Sequence, residues 1–412
     1  MSAMAPVEGL EKELGLARRN VFLLTAAQAI LGSAPPITFA MGGLAAYQIL
    51  GDDKSLATAP LTGFNIGVSI GTIVVAILSR YLARKLSFII GALLTAFGGL
   101  IAAVAIFQSN FWLMVAGLAL TGVSGGFTQK FRFAAADASP SFYKGSAISW
   151  ILAGGIVSAV AGPQIAIAAK ELFEPVLFAG AFAAFAPMGL LAACILAFLK
   201  LPPVHDKNAP NAEPARPLTE IVLKPRFLTG MFCGVSSYAL MTFMMTGAPL
   251  AMVVGCGYST DDSTLGIQFH VLAMFGPSFV TGALIKRFGA EKIVACGLGI
   301  LMLCAAIAHM GIELWNFWGA LVLLGFGWNF GFIGSTAIVA SSYRPSEADK
   351  VQAYHDIILF TTVAMSSFAS GQIFARFGWD AMILPVWPLA ILGLALLAIQ
   401  GRAGRPALSA KD

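Results

Sequence analysis

Twelve apolar runs, each long enough to cross a bilayer, follow one another along this chain, and no other feature constrains its fold so strongly. They cover residues 22–48, 58–80, 87–108, 111–133, 146–169, 176–199, 227–254, 263–285, 292–311, 315–338, 353–376 and 379–399. A helix needs about 20 mostly apolar residues to cross the hydrocarbon core. Lipid offers no partner to a backbone N–H or C=O, so only helices and closed barrels span it. Barrel strands alternate apolar and polar residues over about 10 positions, and these runs do not alternate. The expected fold class is an all-α membrane protein of twelve transmembrane helices. Composition agrees, with 58% of the 412 residues hydrophobic and 11% charged, against roughly 25% charged in soluble domains. So much apolar surface excludes a soluble enzyme, a nucleic-acid binder and a disordered chain.

Charge placement orients the spans. With the N-terminus taken as inside, 22 of the 25 Lys and Arg residues fall on the cytoplasmic side, and only Lys54, Lys170 and Arg376 fall outside. That bias predicts an even number of crossings, with both termini cytoplasmic. No cleaved signal peptide is expected, because the first run is too long for one and follows a charged 20-residue segment. The Pro- and Asn-containing stretch 201–226 reads as a cytoplasmic linker between two six-helix halves, 21–200 and 227–400. Residues 1–20 and 401–412 are the flanking cytoplasmic segments. Pro35, Pro36, Gly162-Pro163 and Gly276-Pro277 lie inside runs. They mark hinges or close packing, since neighbouring helices can satisfy a broken backbone.

The halves echo each other at an offset of about 206 residues. Ala76-Ile-Leu78-Ser-Arg80-Tyr81-Leu-Ala83-Arg84-Lys85 follows span 2, and Gly282-Ala-Leu284-Ile-Lys286-Arg287-Phe-Gly289 follows span 8. Pro140-Ser-Phe-Tyr-Lys144 after span 4 answers Pro345-Ser-Glu-Ala-Asp-Lys350 after span 10. A parallel duplication of six spans is the architecture of alternating-access carriers.

On these strings the chain resembles the major facilitator superfamily over nearly its whole length. The family's loop between spans 2 and 3 reads roughly G-x-L-x-D-R-x-G-R-K. Here Arg80 and Lys286 stand at the acidic position, while Arg84 and Arg287 remain. The resemblance implies gating roles for Arg84 and Arg287. It leaves open the cytoplasmic latch that the missing acid serves in the family. Proton-driven drug exporters of the family carry an Arg in span 4, but here Thr121 precedes Gly125 and Gly126. Their span-5 motif is half kept, at Gly162-Pro163. Three further strings, Gln268–Phe279, Gly325–Phe330 and Val351–Asp356, resemble a branch of bacterial carriers that includes riboflavin importers.

No span holds an Asp, Glu, Lys or Arg near its middle. An ionisable or strongly polar group at depth is therefore the first place to look for a site. His270, in span 8, is the candidate for proton coupling, because imidazole titrates near neutral pH. A neutral His bonded to a neighbouring carbonyl is the competing reading. Trp328 and Asn329, mid-span 10, suit a flat ring with polar edges. Asn65, Gln164, Tyr238 and Gln268 complete the candidate substrate site, with interhelical bonding as the alternative for each. Arg132 and Asp137 at the inner end of span 4, with Asp356 near the start of span 11, are candidates for an ion pair closing the cytoplasmic side. The 31 Phe residues are expected to serve packing and lipid contact rather than cargo.

The five cysteines form no CxxC, and neither a metal nor a cofactor is expected. No catalytic motif is present, so the chain is expected not to be an enzyme. The scarcity of deep charge argues against a dicarboxylate or phosphate-ester cargo. The expectation is a monomeric secondary carrier in a bacterial inner membrane, moving a neutral or weakly polar organic solute by alternating access. Its partners would be the bilayer, the solute and a coupling proton. The resemblance points to riboflavin uptake, and proton-coupled export of amphipathic drugs is the alternative.

Overall fold

The computed structural model describes residues 4–201 and 216–403. Most of the expected linker and tail, together with His205, lies outside the described residues. Every regular element among the described residues is helical. The crossings are α1 (Glu13–Ile49), α2 (Ala59–Ser79), α3 (Arg84–Phe107), α4 (Phe111–Asp137), α5 (Lys144–Ala169), α6 (Ala179–Ala197) and α7 (Pro225–Gly255). They continue with α8 (Thr260–Phe275 and Ser278–Phe288), α9 (Ala290–His309), α10 (Leu314–Ala340), α11 (Lys350–Ile383) and α12 (Val386–Gly401). The assigned end of α11 runs past Gly378, whose φ of +75° breaks the helix, so residues beyond it begin the last crossing. Only glycine takes that backbone conformation without strain, which lets two spans join through a single residue.

The chain's basic loops gather at one end of the bundle, called the basic end below. Helices that start at the opposite, far end are capped as their sequences suggest. Asn110 accepts from the Leu113 N–H before α4, and Ser259 accepts from Asp262 N–H before α8. Glu313 and Asn316 form a reciprocal capping box at the start of α10. Two of the expected positions are breaks. Gly162-Pro163 instead lies within continuous α5, where a Cβ on Gly162 would sit 2.6 Å from the Ser33 carbonyl oxygen of α1, and so marks close packing. α1 is interrupted at Gly32–Ser33, just before Pro35 and Pro36. α8 bends by 41° at Gly276-Pro277.

The internal repeat is visible in a single contact. In the first half, a Cβ added to Gly67 of α2 would sit 2.0 Å from the Ala119 carbonyl of α4. The positions 206 residues later are Ala273 of α8 and Gly325 of α10, where a Cβ on Gly325 would lie 2.8 Å from the Ala273 Cβ. The crossing is conserved between the halves while the glycine has changed helix. Close backbone approach through small residues is what holds helices together in lipid, where apolar burial gives no net drive.

Candidate substrate-binding site

An aromatic cluster occupies the middle of the second half. Tyr238 on α7 meets Trp328 edge-on at 5.4 Å and Phe332 edge-on at 5.0 Å, both on α10. Trp328 stacks on Phe332 at 5.3 Å with 19° between the rings, one helical turn apart. Phe360 of α11 closes the group at 6.4 Å from Tyr238. At about 1.5 Å per residue, Tyr238 and Trp328 both lie roughly 18–20 Å from the basic end, near mid-membrane. The Trp328 indole Nε1 is buried and has no hydrogen-bond partner. An unsatisfied buried donor is costly, and a cargo carbonyl would satisfy it.

The first half's Arg132 lies near the basic end of α4. It is solvent-exposed, and its guanidinium lies 4.8 Å from the Phe133 ring centre. Arg132 and Asp356 form no ion pair in this state. Asp356 instead approaches His355 at 3.2 Å, and Asp137 binds Arg84 at 2.9 Å. The expected Arg132–Asp137–Asp356 grouping is thus divided. Arg84 and Asp137 tie α3 to α4 within one half, while Arg132 and Asp356 stand on different halves without pairing. Arg287 lies over the Phe288 ring, 5.2 Å from its centre.

The remaining candidates fall elsewhere. Asn329 is fully buried and clasps the break in α8: its Nδ2 donates to the Met274 carbonyl and to Ser278 Oγ, both at 2.7 Å. Thr281 Oγ1 lies 2.6 Å from its Oδ1. Both amide protons are spent on satisfying a helix broken at proline, so none is left for a solute. His270 is also fully buried, with Nδ1 2.8 Å from the Leu321 carbonyl on α10. A carbonyl only accepts, so Nδ1 carries a proton; Nε2 has no partner. Asn65 stands apart on α2, nearly buried, with its amide nitrogen unpartnered.

Gln164 and Gln268 do meet, through a 2.8 Å hydrogen bond that joins α5 to α8 across the two halves. Farther along the same seam, towards the far end, Lys170 reaches Asp261 at 3.2 Å. Gln372 of α11 donates to the Ser55 carbonyl at 2.8 Å on the opposite seam. Among the described residues, every hydrogen bond or ion pair between the halves lies in this far-end set. The halves are thus closed against each other at the far end. Burial works against the Lys170 charge, but hydrogen bonds to Glu171 and Asp261 outweigh it and raise its pKa. The raised value keeps the ammonium, and so the contact, through neutral pH, with loss only as pH rises past it. Half-buried pairs at a protein's edge are worth little more than exposed ones, about 0–1 kcal/mol, so the latch biases the conformation without locking it. Asp261→Lys is expected to open the far end by a few-fold in population, and adding Lys170→Asp should restore closure. Spin-label distances between α5 and α8 measure this; an unchanged distribution in Asp261→Lys would count against a latch.

A second clamp lies at the basic end. Glu347, with no solvent-exposed side-chain surface, receives both Arg216 Nε and Nη2 at 2.7 Å, and Arg344 N–H at 2.8 Å. The Arg216 hydrogen bonds hold its carboxyl well below the usual carboxylate range. This fixes the end of the linker to the α10–α11 loop. Sequence reading missed this clamp, the far-end latch, and the roles of Phe332 and Phe360. The one available signal was the four-residue spacing of Trp328 and Phe332, which places them on one helix face.

Twelve helices in two duplicated halves, with a polar-edged cluster at mid-depth and a seam closed at one end, define a multi-pass alternating-access carrier. The chain belongs to the Major Facilitator Superfamily, whose family model matches residues 20–358. It is 46% identical over 385 residues to the riboflavin transporter RfnT of Brucella anthropi, covering 93% of this chain and 96% of that one. It is 28% identical to the uncharacterized MFS-type transporter YdeG of Bacillus subtilis, covering 93% and 92% of the two chains. Among solved structures, an auto-inhibited POT family peptide transporter superposes with a TM-score of 0.66 at 12% identity, covering 96% of this chain and 99% of its own. The human organic anion transporter MFSD10 gives 0.63 at 15% identity, covering 92% and 99%. At such identities these two speak for the fold alone.

Proposed function

We propose that this carrier imports riboflavin across the bacterial inner membrane, as a monomer with both termini in the cytoplasm and no catalytic step. The observation that carries this reading is the 46% identity, sustained over nearly the full length, to a protein named as a riboflavin transporter. The site chemistry supports it. An isoalloxazine is flat, aromatic and uncharged, with carbonyls at its edge, and the Tyr238–Trp328–Phe332–Phe360 cluster offers ring faces and one free indole donor. The basic end is then the cytoplasmic side, and the present conformation faces inward. Rocking the halves would open the Lys170–Asp261 and Gln164–Gln268 contacts outside and bring Arg132 against Asp356 inside. Arg84 and Asp137 would hold the first half rigid during that motion.

The test is growth. A riboflavin auxotroph without an importer should grow on micromolar riboflavin when it expresses this chain, and failure to grow with protein present in the membrane would end the proposal. Export of amphipathic compounds is the rival, supported by Gly162-Pro163, and an unchanged drug-susceptibility profile on deletion would count against it.

Protons are the proposed coupling ion, with His270 Nε2 as the receiving atom. That atom is sealed between α8 and α10 here, so protonation belongs to a state in which these helices part. His270→Gln is expected to leave riboflavin exchange intact and to abolish accumulation driven by a pH gradient. Accumulation surviving in this variant would remove His270 from coupling.

A further inference from the structure

Resting on the riboflavin reading, we propose a second binding place for the same solute, a cavity between the halves at the far end where it docks while that end is closed. The cavity measures about 430 Å³, within the roughly 300–1,000 Å³ of small-molecule sites. The first half lines it with Tyr47, Asp52, Asp53 and Lys54, and the second half with Phe374 and Arg376 of α11. Asp52, Asp53 and Arg376 are exposed, so water on that side reaches it. At about 1.5 Å per residue, Arg376 lies roughly 39 Å from the start of α11 at Lys350, about twice as far from the basic end as the aromatic cluster. The chain keeps three basic residues on this side against a strong bias to the other. Lys170 serves the latch, and the other two, Lys54 and Arg376, line this cavity.

The charges of the lining are not equally engaged. Lys54 binds the Tyr47 and Leu50 carbonyls at the end of α1 and lies 4.6 Å from the Tyr47 ring centre. Asp53 accepts from the Ser55 N–H at 2.9 Å. Among the described residues, Asp52 and Arg376 have neither a hydrogen-bond nor an ion-pair partner. One belongs to each half. A carboxylate only accepts hydrogen bonds and a guanidinium only donates them, whereas a hydroxyl does both. An uncharged polyhydroxyl solute can therefore use both, and the half-buried Phe374 offers its ring to a flat partner. Two acids and two bases cancel, so a net charge on the solute gains little from the lining as a whole.

Closure builds this cavity. Gln372 holds the Ser55 carbonyl beside it, and a Cβ added to Gly371 would lie 2.2 Å from Thr58 Oγ1, so α11 rests directly on the start of α2. Parting the halves at the far end separates the two sides of the lining. A solute docked here favours the closed state, and opening releases it toward the bundle interior.

Equilibrium dialysis of the purified full chain against labelled riboflavin, up to the solubility limit of the vitamin, counts the sites. Two per chain are expected. Asp52→Asn combined with Arg376→Gln should weaken one of them about tenfold or more and spare the other. Trp328→Ala should do the reverse. Asp52→Glu combined with Arg376→Lys should keep both sites, and an unchanged elution volume on size exclusion shows that each variant folds. A single wild-type site that the neutral pair leaves untouched overturns the docking site while riboflavin stays the cargo. A single site lost in the neutral pair and kept in Trp328→Ala upholds the docking site and removes the aromatic cluster instead. Absence of any riboflavin binding overturns the docking site and the riboflavin reading together.

Discussion

Trp328→Ala is expected to reduce riboflavin uptake by about 30-fold or more at low substrate, with the membrane level of the protein little changed. Trp328 is 8% exposed, stacks on Phe332 and meets Tyr238 edge-on. Aromatic pairs contribute about 0.5–1.5 kcal/mol beyond area burial. Losing roughly 60–100 Å² of ring contact with a cargo costs about 1.5–2.5 kcal/mol more at 25 cal/mol/Å². Together these make about 2–4 kcal/mol, and each 1.4 kcal/mol is tenfold in affinity. Phe at 328 keeps a ring face and loses the Nε1 donor, so it should fall between alanine and wild type. Initial uptake rates of labelled riboflavin, normalised to protein, measure the series. If alanine transports within threefold of wild type, the aromatic cluster is packing and the cargo lies elsewhere in the bundle.

Most of the fold could be read from the sequence because lipid removes choices. Each long apolar run has one backbone solution, and Gly276-Pro277 announced the bend in α8 that the structure contains. Ends were less legible. α1 continues toward the N-terminus beyond its apolar run, because Arg19 and Asn20 find the Phe198 and Lys200 carbonyls at 3.0 and 2.8 Å. Those partners are about 180 positions away and leave no local signal. The same limit governs the site. A buried Asn beside a Trp is equally consistent with a ligand contact and with a helix clasp, and only the position of Met274 and Ser278 decides for Asn329. Gln268 and His270 were separable in advance, since residues two apart on a helix face different ways. Gln268 turns to α5, and His270 to α10. Phe332 and Phe360 were hidden among many phenylalanines, most of which have lipid or core to face.

Gly122→Leu is expected to abolish folded protein altogether. A Cβ at Gly122 would lie 2.0 Å from the Phe64 carbonyl oxygen, and its nearest neighbours are all α2 backbone. Backbone cannot swing aside as a side-chain tip can, so α2 and α4 would have to separate by an ångström or more. Overpacking a tight site costs about 1–3 kcal/mol and at times more. Here the separation would also undo the neighbouring approaches at Gly67 and Gly126, so the penalty accumulates along the crossing. Two controls fix the interpretation. Gly125, one turn-face away on α4, meets the Val68 side chain at 3.1 Å, which a rotamer change relieves, so Gly125→Ala should fold. Gly282 has nothing within 4 Å of its Cβ position, and Gly282→Ala should match wild type or exceed it slightly. Fluorescence-detected size exclusion of detergent extracts separates the outcomes: loss of the monodisperse peak for Gly122→Leu and retention for both controls. A wild-type elution profile and melting temperature for Gly122→Leu would mean that α2 and α4 do not touch there. The first half could then not move as the single body that alternating access requires of it.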